Sequence, residues 1–225
     1  MEEELNEQNE VTQLSDSLNT SSTGYFKTAF NISVFAFLFS FFAEFSEIME
    51  LFGEKGPAKA RIIGIIPSWL YSVLALAAFA YLLYGLRNHI LKYVIPQFAK
   101  IMINIMMFAA VVDIVIELIW GLSDDVEMST IKTYAIIYGL IFAAGGLSLI
   151  KVVKNSLAYS FIAYGVSCIA LTFYIENAME SASDYKDFIL AFLIDMVISV
   201  VIYMILNARI ATYLGVNFKK KKDEE

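Results

Sequence analysis

Asp113 and Glu117 stand four residues apart in the stretch VVDIVIELIW, Val111 to Trp120, where almost every other side chain suits lipid or a buried core. Residues three or four apart share a helix face, so this spacing aims two carboxylates the same way. Glu44 and Glu47 repeat the arrangement in an earlier apolar run, and Asp195 stands alone in a later one. A carboxylate placed within a bilayer costs several kcal/mol on insertion scales, so it normally faces a bundle interior or a water-filled cavity. Low-dielectric surroundings disfavour the charged form of an acid. Such acids suit cation binding or proton relay, and the five candidates for that role are Asp113, Glu117, Glu44, Glu47 and Asp195. The structural alternative is that protonated or hydrogen-bonded acids clasp helices together, a contribution of about 1 to 2 kcal/mol per contact at most.

The elements that would position them are membrane spans. Hydrophobic residues make up 59% of the 225, and charged residues only 17%, far from the soluble average. Six continuously apolar runs, near Thr28–Leu51, Ile62–Leu86, Phe98–Leu122, Ile131–Val152, Ser156–Glu176 and Phe188–Tyr213, are each long enough to cross a bilayer. They do not alternate apolar with polar residues, which leaves helices rather than a barrel. The expected fold is all-α and polytopic, with six transmembrane helices arranged as three helical hairpins. If the third span enters lipid near Ile101, Asp113 lies about 18 Å in and Glu117 about 6 Å further, at 1.5 Å of rise per residue. Joining the acids into one site requires their helices to converge, and helix order in a bundle is set by packing between helices and not by periodicity within one.

Basic residues orient the chain. Lys27, Arg87, Lys92, Lys100, Lys151, Lys154, Arg209 and Lys219 to Lys222 fall on the side of the termini and even-numbered loops, against Lys55, Lys59, Arg61, Lys132 and Lys186 on the other. Both termini are therefore expected in the cytoplasm, with the protein integral to the cell (cytoplasmic) membrane. The membrane-region carboxylates gather toward the external side, where they could attract a cation. Residues 1–24 read as a disordered acidic tail with weak support for a short helix around Leu5 to Leu18, residues 25–214 as the membrane domain, and residues 215–225 as a polybasic and acidic tail. No apolar signal-peptide core opens the sequence.

NISVFAFLFSFFAE, Asn31 to Glu44, and NIMMFAAVVDIVIE, Asn104 to Glu117, share Asn, Ile, Phe, Ala and the closing Glu at equal offsets, a sign of hairpin duplication. Thirteen residues turn a helix by about 220° from Asn31 to Glu44, so the inner asparagines do not extend the acidic face into one straight polar lane. Gly139, Ala143 and Gly146 in the fourth span form a small-residue side for close helix approach. Pro67 near the start of the second allows a kink or distorted first turn. Pro96 precedes the third.

Several chemistries find no support. His89 is the single histidine and Cys168 the single cysteine, which excludes a His-rich metal or haem site and an internal disulfide. Asp113 and Asp195 could suggest an intramembrane aspartyl protease, but they follow Ala-Val-Val and Phe-Leu-Ile instead of a Gly-x-Gly lead. There is no phosphate-binding loop motif. The basic residues are too sparse for nucleic acid. The expectation is a non-enzymatic transport protein, channel or carrier, for a cation or coupled to protons, without a cofactor. Its partners would be the lipid bilayer, the cation or proton, and a second copy or a membrane partner protein. The alternative is a non-catalytic subunit or assembly factor of a membrane complex whose acids are structural.

Overall fold

The computed structural model describes residues 23–46, 67–93, 95–123, 128–181 and 185–218. They form six helices: α1 (Thr23–Ser46), α2 (Ser68–Ile90), α3 (Gln97–Gly121), α4 (Met128–Leu149), α5 (Asn155–Ser181) and α6 (Tyr185–Tyr213). All six are long and apolar enough to cross a membrane. The protein is thus an all-helical chain built for lipid.

Helix ends differ from the hydropathy reading for local reasons. The first helix is already formed at Thr23, so Thr23 and Gly24 belong to a helix and not to the tail. Pro67 immediately precedes α2 with φ −52° and ψ 139°, extended backbone outside the helix. A proline placed before the first turn removes no intrahelical bond, so the kink or distortion that the sequence allowed is not required of α2. Pro96 stands in the same way before α3. At the end of α6, Gly215 takes a positive φ of 89°, and Val216 N–H reaches back to Ala211 O at 2.9 Å. That left-handed turn closes the helix and buries Val216. The expected Leu5–Leu18 helix, and the tail beyond Phe218, lie outside the described residues.

Packing joins α2 to α3, α3 to α4, α4 to α5, α5 to α6, and α6 back to α2. Helix α1 lies against α2 and α6: Ser33 Oγ bonds to Ala75 O at 3.2 Å and to Tyr203 Oη at 2.6 Å. The closest approach is between α4 and α5. A Cβ on Gly139 would collide with Gly165 O and Ile169, and one on Gly165 with Gly139 O and the Ala143 backbone. The small-residue side read from the sequence therefore faces α5, where missing side chains let two backbones meet.

The dense apolar core occupies the half nearer the α2–α3 and α4–α5 turns, with Leu86, Ile90, Ile103, Leu149, Leu157 and Ile210 fully or almost fully buried. Outward faces carry exposed Phe108, Leu140, Leu147 and Val197, as expected of surfaces made for lipid chains. Glu44, Asp113, Glu117 and Asp195 all lie in the other half.

Candidate functional site

Helix α3 presents its two acids to different neighbours. The Tyr134 hydroxyl of α4 donates to Asp113 Oδ1 at 2.5 Å. One turn further along α3, Glu117 has the Ser72 hydroxyl of α2 as its hydrogen-bonding neighbour. Ser72 Oγ in turn lies 2.6 Å from Ser40 Oγ on α1. Ser40 Oγ reaches Glu44 Oε1 at 3.5 Å, the outer limit of a hydrogen bond. Two hydroxyls thus lead from Glu117 to Glu44 across three helices.

On the other side of α3, aromatic residues surround a cavity of about 360 Å³. Its walls include Phe37 of α1, Trp120 of α3, Tyr134 and Tyr138 of α4, Tyr164 of α5 and Asp195 of α6. Trp120 meets Tyr134 edge-on at 5.4 Å between ring centroids, and Tyr134 leads on to Tyr138 at 5.7 Å. Phe37 stacks on Tyr203 at 4.0 Å. Tyr134 is the hinge of the arrangement: its ring lines the cavity and its hydroxyl holds Asp113 just behind the wall.

Tyr138 is only 5% exposed, and its buried hydroxyl has Asp113 and Tyr164 as neighbours, with none of the described residues at close hydrogen-bond geometry. The cavity wall carries one half-buried carboxylate, Asp195, without a hydrogen-bond or ion-pair partner among the described residues.

No family model matches the chain, and no curated protein or solved structure is similar to it. The functional reading rests on this geometry.

The sequence-derived acids come together unevenly. Asp195 lines the cavity and Asp113 is bonded to another wall residue, Tyr134, whereas Glu117 and Glu44 join through Ser72 and Ser40. Glu47 lies outside the described residues. Glu176 is taken up by an ion pair, with Lys132 Nζ at 2.6 Å and that ammonium 4.7 Å above the Phe173 ring. Among the described residues no group of three or more His, Cys, Asp or Glu side chains could hold a metal ion.

Ser40, Ser72 and Tyr134, which bond to the acids, and Tyr138 and Tyr164 on the cavity wall were not singled out from sequence. A signal existed. Ser33, Phe37, Ser40 and Glu44 recur at spacings of four, three and four along α1, which puts them on one face. The first of them enters a separate buried node. Ser33 Oγ also lies 3.2 Å from Asn207 Oδ1, and the Asn207 amide donates to Tyr203 O at 2.9 Å. That node binds α1, α2 and α6 below the cavity.

Proposed function

We propose that this chain is a membrane transport protein for a monovalent cation or for a solute whose movement is coupled to protons. Asp113 and Asp195 serve the cavity directly, and Glu117 and Glu44 extend the acidic path toward α1. The observation that carries this reading is the Asp113–Tyr134 bond at the wall of a cavity that Asp195 also lines. Acids in lipid-facing helices are expensive, and here they are spent around a cavity instead of on paired helix contacts.

The proposed topology places both termini in the cytoplasm, with odd-numbered spans running outward and even-numbered ones returning as three hairpins. The excess of Lys and Arg on the terminal side supports it. So does a second cavity, of about 470 Å³, which Thr23 near one terminus and Gly215 near the other both line. The acidic half of the bundle would then open to the outside, in the cell membrane.

The test is flux. Native protein reconstituted in liposomes is expected to carry protons or alkali cations down an imposed gradient. An Asp113→Asn, Glu117→Gln variant of equal incorporation and thermal stability is expected to lose that flux. No flux from either protein would refute transport and favour a structural role within a membrane complex.

A further inference from the structure

The apolar cavity between α4, α5 and α6 has a composition that selects among cations. We infer that it binds an organic monocation, an ammonium group on an apolar body; its role as cargo rests on the transport reading above. At about 360 Å³ the space is near the lower end of small-molecule sites. Phe37, Trp120, Tyr134, Tyr138 and Tyr164 supply aromatic surface on several sides, and the negative face of an aromatic ring attracts an ammonium group that has shed its water. Asp195 adds a single formal charge on the same wall.

Competing ligand classes fit less well. A divalent metal asks for several oxygen ligands, and no cluster of three or more His, Cys, Asp or Glu that could hold an ion occurs among the described residues. An anion would find no basic side chain in the lining. The nearest cation along the chain, Lys132, follows the lining residue Ile131 and is held by Glu176. The hydroxyls of Ser167 and Thr172 on the wall already donate to Tyr164 O and Cys168 O of their own helix. A neutral hydrocarbon would fill the space but leave the Asp195 carboxylate on its wall without a counter-charge. An organic ammonium group sets its charge against Asp195 and the aromatic rings, and its apolar body takes the rest of the volume.

The experiment is equilibrium dialysis of the purified full-length protein in detergent with radiolabelled benzyltrimethylammonium. Saturable binding is expected, displaced by unlabelled tetraethylammonium and not by benzoate. Asp195→Asn is expected to weaken it by about tenfold, the effect of about 1.4 kcal/mol, and Asp195→Glu to restore most of it. Thermal unfolding of each variant verifies that the fold is kept. Absence of saturable binding to the native protein, or equal binding by native protein and folded Asp195→Asn, overturns the inference. Proton flux that depends on Asp113 without benzyltrimethylammonium binding would overturn this inference alone. Binding that depends on Asp195 with no liposome flux of protons, alkali cations or benzyltrimethylammonium would uphold it and refute transport.

Discussion

Tyr134 of α4 donates its hydroxyl proton to Asp113 of α3 at 2.5 Å while its ring forms part of the cavity wall. One side chain thus couples a membrane carboxylate to the space where a cation would sit. Tyr134→Phe keeps the ring and removes the bond. Its expected cost in stability is modest, about 0.6 kcal/mol and at most about 1.7, as for interhelical hydrogen bonds in other membrane bundles. Its expected cost in flux is larger, at least about tenfold, or 1.4 kcal/mol in barrier. Unfolding in mixed micelles and flux in liposomes measure the two effects separately, and unchanged flux would remove Tyr134 from the path.

The α4–α5 contact depends on absent side chains. Gly139→Ala puts a Cβ against Gly165 O and Ile169, and overpacking of this kind costs about 1 to 3 kcal/mol. Gly24→Ala, where a Cβ meets nothing within 4 Å, is expected to leave stability almost unchanged. Thermal unfolding of the two variants side by side checks the contrast.

The node of Ser33, Tyr203 and Asn207 should respond according to what each substitution strands. Asn207 is 0% exposed, and Asn207→Leu removes both the amide that donates to Tyr203 O and the acceptor beside Ser33. A loss of about 1 to 3 kcal/mol is expected. Tyr203→Phe should cost less, since Ser33 keeps Ala75 O and Asn207 as partners. The reverse order in chemical denaturation would contradict this account of the node.

Much of this architecture is legible in the sequence, and the limits of that reading have physical causes. Continuous apolar runs reveal spans because lipid demands satisfied backbones, so all six helices were expected. Their ends were less clear. Hydropathy does not register that Pro67 halts a helix start or that Gly215 closes α6. Gly139, Ala143 and Gly146 announced a contact surface by their size. The acids stood out by their cost, but their connectors did not: a serine or tyrosine in a membrane helix is cheap enough to pass unnoticed. Tyr134 shows its role only when α4 is seen beside α3, which no periodicity within one helix can report.

Glu176 illustrates an acid with a structural task. Its carboxylate pairs with Lys132 at 2.6 Å, and both side chains remain partly exposed, a setting in which an ion pair contributes about 0 to 1 kcal/mol. A double-mutant cycle with Lys132→Met and Glu176→Gln should return a coupling energy within that range. Flux should persist in Glu176→Gln, and its loss would place this acid in the pathway as well.

In the proposed function, Asp113 and Asp195 serve one path through one cavity. The most direct measurement is the initial rate of cation or proton flux in liposomes for native protein, Asp113→Asn, Asp195→Asn and the double variant, at matched incorporation. Shared function predicts that each single substitution removes most of the flux and that the double removes little more than the worse single, the non-additivity of groups acting together. Unchanged flux in either single variant, or losses that multiply as for independent sites, would contradict the account.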